Sequence, residues 1–185
     1  MGKSSLVLRF TKNEFLERHQ ATIGAAFATK EMTISDASSA GRRASAPATQ
    51  VIRLQIWDTA GEEKYRAMTR FYYRNCAAGL IVYDITNKRS FDKLDEWTRE
   101  FRDHCPQAVI LIAGNKSDRT EGRQVLRRDA ENYAESRGLV HMEVRVCCVC
   151  VCVCACRVCV VCVEGREWRG RARDRRVLVV VSTTC

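Results

Sequence analysis

Between Phe27 and Arg137 the chain alternates strand-like runs with segments of helical spacing, and no other feature narrows its fold as sharply. Phe27–Ser35 alternates polar and apolar residues, and Val51–Trp57 makes its partner. Ala78–Ile85 and Ala108–Ala113 are short continuous apolar runs of the kind buried on both faces of a parallel sheet. Phe91–Cys105 and Arg127–Arg137 read as helices, the second stopped by Gly138. The order predicts an α/β protein with a mostly parallel sheet flanked by helices and ligand loops at the carboxyl ends of the strands. At 185 residues, 46% of them apolar, the chain suits one domain with a real core.

Three loops carry chemistry. Trp57-Asp58-Thr59-Ala60-Gly61 ends an apolar run in an acid and a glycine. There a carboxylate can help hold Mg²⁺, and a glycine lets backbone N–H approach a terminal phosphate; as an isolated pair the two are more often a turn. Met1-Gly2-Lys3-Ser4-Ser5 matches the second half of the phosphate-loop pattern G-x-x-x-x-G-K-[ST]. Gly2 permits close backbone approach, the Lys3 ammonium faces phosphate oxygens, and the Ser4 hydroxyl can ligate Mg²⁺. Ser5 can offer its backbone N–H at a helix N-terminus, and Leu6, Val7, Phe10, Phe15 and Leu16 carry the helical spacing onward. Asn115-Lys116-Ser117-Asp118 follows the Ala108–Ala113 run. The Asp118 carboxylate can accept from both the ring N–H and the exocyclic amine of guanine, a donor pair that adenine does not present, while Asn115 braces the loops and the Lys116 stem lies along the base.

DTAGEE with Trp57 before it and KYRAM after it resembles the switch II segment of the Rab branch of Ras-like small GTPases. TIGAAF at Thr22–Phe27, YYRNC at Tyr72–Cys76, IVYDIT at Ile81–Thr86 and NKSD at Asn115–Asp118 resemble Rab sequences in the same order, from the first residue to about Glu143, and TIGAAF is most similar to the endosomal members. The resemblance implies a P-loop small-GTPase fold, a GTP/GDP and Mg²⁺ site, GTP hydrolysis and a switch role in vesicle traffic. It places Phe15 against the guanine base and Thr22, with Ser4 and Asp58, in the Mg²⁺ shell when the γ-phosphate is present. It makes Phe27, Trp57 and Tyr72 an effector surface, with ordinary packing under the switches as the plainer reading. Effectors and exchange proteins would meet the switch regions of a cytoplasmic protein at an endosomal membrane surface.

Departures from the family pattern set further expectations. Glu62 follows Gly61 where the family has the glutamine that orients the attacking water, so slow hydrolysis is expected of these two catalytic positions. The strand and first glycine ahead of GKSS are not in the sequence, which predicts a partial GTPase domain over 1–146 lacking its first strand and final helix. Residues 36–50 (DASSAGRRASAPATQ) read as an insertion in a surface loop, where added length costs little entropy. His141–Val146 keeps only Glu143 of the last base-contacting loop.

Residues 147–185 read as a Cys/Val-rich and then Arg-rich low-complexity tail, with no folded domain expected. Eight of the eleven cysteines lie between Cys147 and Cys162, leaving Cys76 and Cys105 as packing residues. Val149–Cys154 would put thiols on one strand face, and closely spaced thiolates can bind zinc or copper(I), which makes a cysteine-rich metal-binding protein the rival reading. A GT dinucleotide repeat also translates as Val-Cys alternation, and the spacing departs from the usual C-x₂₋₄-C, so the repeat is the preferred reading, with a nonbinding fragment as the further alternative. The formal charge of +9 is scattered among acids as far as Arg145, which reads as a solvated surface with no nucleic-acid partner. Ser182-Thr183-Thr184-Cys185 lacks the paired cysteines of the family's lipidated end, so membrane association is implied by resemblance alone.

Overall fold

The computed structural model describes residues 2–16, 22–35, 49–61, 65, 67, 71–74, 76–146 and 176–183, with the backbone alone for 34–35, 49–50 and 176–183. Among the described residues six strands form one sheet: β1 (Ala25–Ser35), β2 (Thr49–Thr59), β3 (Ala78–Asp84), β4 (Val109–Asn115), β5 (Val140–Glu143) and β6 (Arg176–Thr183), in the spatial order β1-β2-β6-β3-β4-β5. β1 and β2 are antiparallel and every other neighbouring pair is parallel. The helices are α1 (Lys3–Lys12), α2 (Lys88–Asp92), α3 (Leu94–His104) and α4 (Arg127–Ser136). The mostly parallel α/β architecture expected from the alternation is therefore present.

Two details depart from expectation at the level of local structure. The helix expected over Phe91–Cys105 starts earlier and is interrupted at Lys93, where α2 hands over to α3. α1 stops at Lys12 because Asn13 takes the left-handed conformation, with φ 60°, and returns its N–H to the Arg9 carbonyl at 3.0 Å. Asn tolerates that conformation better than most residues. Phe15 and Leu16 consequently lie beyond the helix and are exposed, although the apolar spacing assigned them to it.

The core has two halves because side chains alternate across the strands. Ile81 and Tyr83 of β3, with Ile110 and Ile112 of β4, join Leu94, Trp97 and Phe101 of α3 on one face. Ala78 and Val82, with Leu111 and Ala113, join Ile52, Leu54 and Ile56 of β2 and Leu6 of α1 on the other. α3 buries Leu94, Trp97, Thr98 and Phe101, the spacing of a single helical face. Asp95 and Glu96 in its first turn, with Arg102 and His104 in its last, match the helix dipole. Gly79 is required where α3 crosses β3, since a Cβ there would stand 2.6 Å from the Phe101 ring. Cys76 and Cys105 are buried, as packing residues should be; the Cys105 thiol donates to the Tyr73 carbonyl, and burial pushes the Cys76 thiol far above its ordinary range.

The largest difference from the sequence reading concerns the tail. The resemblance leaves the sheet without its central first strand, yet β6 runs between β2 and β3 and pairs with both. Residues 176–183, expected in an unfolded tail, are thus an inner strand of the sheet. Val177-Leu178-Val179-Val180-Val181 is the continuous β-branched and apolar run that inner parallel strands favour. The Cys/Val repeat between Cys147 and Cys162, with its rival metal reading, lies outside the described residues. Residues 36–48 of the insertion expected over 36–50 do so too, whereas Thr49 and Gln50 already belong to β2, and Ser35 and Thr49 are paired directly across β1 and β2. Its ends therefore meet, so its length is closed at small entropic cost.

Candidate functional site

The carboxyl ends of β2, β3 and β4 and the start of α1 gather most of the residues that the motifs single out. Gly2 opens α1 in the left-handed region, at φ 89°, and its carbonyl accepts the first helical bond from Leu6 N–H at 2.9 Å. A Cβ on Gly2 would stand 2.6 Å from Asn115 Nδ2. Glycine is needed here for both conformation and approach, and its bare Cα lets the α1 turn lie against the end of β4. Asn115 is buried, consistent with the bracing role expected of it. No acid occupies the first turn of α1, where the positive end of the helix dipole favours an anion.

Lys3, the next residue, is only 7% exposed. The Ser4 and Thr22 hydroxyls, eighteen residues apart, are hydrogen-bonded at 2.8 Å. The sequence reading placed both around Mg²⁺, by separate arguments, and the structure brings them together. Asp58 closes β2 and is 3% exposed. Just past it, Ala60 N–H donates to Gly24 O at 2.7 Å, tying the segment after Asp58 to the one after Thr22. Two hydroxyls and a buried carboxylate beside a glycine cradle are hard oxygen donors, suited to a phosphate-bound Mg²⁺. Ser5 is half-buried within α1, and Gly61 is half-buried at the described end of the β2 loop; Glu62 lies outside the described residues.

At the opposite end, Lys116 has φ 65° and turns the chain sharply after β4. Arg119 N–H donates to Lys116 O at 2.9 Å, Ser117 N–H to Val144 O at 3.1 Å, and Val144 N–H to Gly114 O at 2.8 Å. These bonds pin the turn against Val144, just past the end of β5, and leave Asp118 exposed. Phe15 is 49% exposed, a loop aromatic with a free face and no place in the core. Phe27, Trp57 and Tyr72 form one aromatic cluster, with ring centroids 4.9 and 4.7 Å apart in sequence order, and Phe27 is largely exposed.

Three groups were not singled out from the sequence. Asp84, buried at the end of β3, accepts from Thr86 N–H at 2.9 Å, Thr86 Oγ1 at 2.6 Å and Lys116 Nζ at 2.5 Å. Burial opposes its charge, but the hydrogen bonds from Lys116 and Thr86 outweigh it and hold the carboxyl below its usual range. It ends an apolar run just as Asp58 does, and that signal could have found it. Arg9 Nε donates to Val146 O at 3.1 Å, linking α1 to the end of the last described loop. Arg123 grips Glu143 with two hydrogen bonds, at 2.6 and 2.9 Å, and so pins the surviving glutamate of that loop.

Hydrogen bonding from Arg123 is the main reason the Glu143 carboxyl sits below its ordinary value of 4.5, against the effect of burial. A lowered folded-state pKa means that this contribution to stability is complete above 4.5 and is lost as pH falls through the folded value. Glu143→Gln should destabilise the chain by about 1.5 to 3 kcal/mol at pH 7. The difference from the unaltered chain should shrink steadily below pH 4.5 in urea melts followed at several pH values. A constant difference down to the lowest pH would show that the glutamate charge is not what Arg123 stabilises.

A family model described as "Ras family" matches residues 1–147. Over 143 residues the chain is 42% identical to Ras-related protein RABF2b of Arabidopsis thaliana, covering 77% of this chain and 65% of that protein. It is 41% identical over 143 residues to Ras-related protein Rab5A of Oryza sativa subsp. japonica, with 77% and 64% covered. With RABA1c of Arabidopsis thaliana the values are 42% over 144 residues, 77% and 61%. The chain spans about two thirds or slightly less of the length of these relatives. No helix among the described residues is long and apolar enough to cross a membrane. Proteins of the matched family bind guanine nucleotide with Mg²⁺ and meet effectors and exchange factors, as the resemblance of the motifs implies. A match over nearly four fifths of the sequence shows that the chain belongs to the Ras family, and the relatives it resembles include proteins of the Rab type.

Proposed function

We propose that this chain is a guanine-nucleotide-binding switch of the Rab type, acting in vesicle traffic at an endosomal membrane surface. The observation that carries the reading is the meeting of the Ser4 and Thr22 hydroxyls at 2.8 Å beside the Gly2 cradle. Thr22 comes from a loop and Ser4 from a helix, so a ligand that recruits both hydroxyls couples the loop to the helix. Such a loop can respond to the presence of a γ-phosphate. Lys3 and the first turn of α1 would bind the phosphates, Ser4, Thr22 and Asp58 would hold Mg²⁺, and Asp118 would select guanine, with Phe15 against the base. Mg²⁺, when bound, neutralises charge that builds on the phosphate oxygens. The cluster of Phe27, Trp57 and Tyr72 supports an effector surface, since aromatics with exposed faces anchor protein interfaces.

Fluorescent GDP titrated into the full chain tests the reading. Saturable binding is expected that unlabelled GDP and GTP compete away, that ATP does not, and that weakens when EDTA removes Mg²⁺. Competition by ATP equal to that by GTP would remove guanine specificity, and no saturable binding would sink the function.

Hydrolysis should be slow. Gly61 lets the chain approach the γ-phosphate, but a glutamate at position 62 has no amide donor for the transition-state oxygens and adds negative charge beside them. Glu62→Gln is expected to raise single-turnover phosphate release from preloaded GTP about tenfold, equivalent to about 1.4 kcal/mol of barrier, with GDP affinity nearly unchanged. A glutamine variant no faster than the parent would place the limiting defect elsewhere.

A further inference from the structure

We infer that the phosphate end of this site is assembled from two elements far apart in sequence, α1 and β6, with β6 as the inner strand whose carboxyl end faces the start of α1. A phosphate loop joins the carboxyl end of an inner parallel strand to the start of a helix. Here those two parts are distant in sequence and adjacent in space. α1 begins at Lys3 and lies over β1, β2 and β6. β6 is parallel to both of its neighbours, so its carboxyl end points to the same sheet edge as theirs.

The register fixes how far it reaches. Val181 pairs with Asp58 on one side and with Leu80 on the other, and Thr183 pairs with Val82. Ser182 and Thr183 therefore extend past the level of Asp58, toward the edge where Gly2, Lys3, Ala60 and Asn115 lie. That edge holds the start of α1, whose N–H groups suit an anion. Placing the last residues of β6 there gives a nucleoside diphosphate or triphosphate a boundary on the strand side as well as on the helix side.

The identity of the ligand rests on the nucleotide reading above; the position of β6 does not. If α1 and β6 share one ligand, docking of β6 and binding of nucleotide are linked, and each must strengthen the other to the same degree. Hydrogen exchange on the full chain, followed by mass spectrometry on peptides spanning 176–183, measures the first, and titration with fluorescent GDP measures the second. Without nucleotide, the 177–181 amides should exchange as slowly as those of β3, and GDP with Mg²⁺ should slow them at least tenfold further. Val179→Pro removes an N–H from the middle of the strand and should weaken GDP at least tenfold.

Exchange of 176–183 at the rate of an unstructured peptide, with or without GDP, would overturn the inference without using any variant. Unchanged GDP affinity in Val179→Pro would overturn it from the other side. Protection of β6 in a chain that binds no GDP would show that the strand docks but that the nucleotide reading is wrong, and the shared site would fall with it.

Discussion

Lys3→Ala should abolish most of the stabilisation that GDP gives this chain. Lys3 is the first residue of α1 and is 7% exposed, so its ammonium is held largely out of water beside helix N–H groups that also attract an anion. A phosphate in that place would be a desolvated, charge-assisted partner, and truncating one member of such a pair costs about 2 to 5 kcal/mol. The expected loss of GDP affinity is on the order of a hundredfold or more. Alanine is the best helix former, so the helix start should survive the change. At a GDP concentration about a hundred times the parent's Kd, the parent gains about 2.7 kcal/mol, whereas a hundredfold weaker variant gains about 0.4 kcal/mol. Thermal melts with and without GDP read that difference directly. Equal GDP-induced shifts in the two proteins would remove Lys3 from the phosphate site.

Asp118→Asn is expected to change which base is bound. Asp118 stands exposed on a turn that backbone bonds from Ser117, Arg119 and Val144 hold in place, so its replacement should leave the fold intact. Guanine would lose one charge-assisted acceptor for its ring N–H and exocyclic amine, at a cost of about 1.5 to 3 kcal/mol, or roughly tenfold to above a hundredfold in affinity. Xanthine presents an oxygen in place of that amine, and the new carboxamide can donate to it while still accepting from the ring N–H. XDP should therefore compete with fluorescent nucleotide better in the variant than in the parent. Unchanged GDP affinity would take Asp118 out of the base site.

The two substitutions probe opposite ends of one ligand, and the structure suggests that they behave independently. Lys3 acts through the start of α1, whereas Asp118 acts through a turn anchored on β4 and on Val144. Gly2 and Asn115 are the bridge, their backbone and amide meeting where a single Cβ would not fit. If that bridge carries no coupling, the double variant should lose the sum of the two free energies, and a departure from the sum in GDP titrations would measure the coupling through Gly2 and Asn115.

The sequence by itself determined what local periodicity and short motifs encode. Ala78–Ile85 and Ala108–Ala113 announced β3 and β4 because burial on both faces demands continuous apolar residues, and α3 and α4 followed from helical spacing and their stops. Gly2, Lys3, Ser4, Asp58, Asn115 and Asp118 could be singled out from the sequence because anion, metal and base chemistry would call for those residue types at element ends. Even there, Asn13 ended α1 ahead of Phe15 and Leu16, since a single left-handed residue outweighs apolar spacing. Asp84 could have been read from its place at the end of an apolar run, whereas the grip of Arg123 on Glu143 was hidden because it joins residues 20 apart in sequence. The tertiary structure alone decided the place of Arg176–Thr183 in the sheet. Strand pairing leaves no periodic trace at a distance, and an apolar pentapeptide, Val177–Val181, behind a low-complexity stretch is locally the same whether it trails in solvent or lies between β2 and β3. Only the paired edges of its two neighbours distinguish those outcomes, because an inner slot satisfies the backbone hydrogen bonds of both.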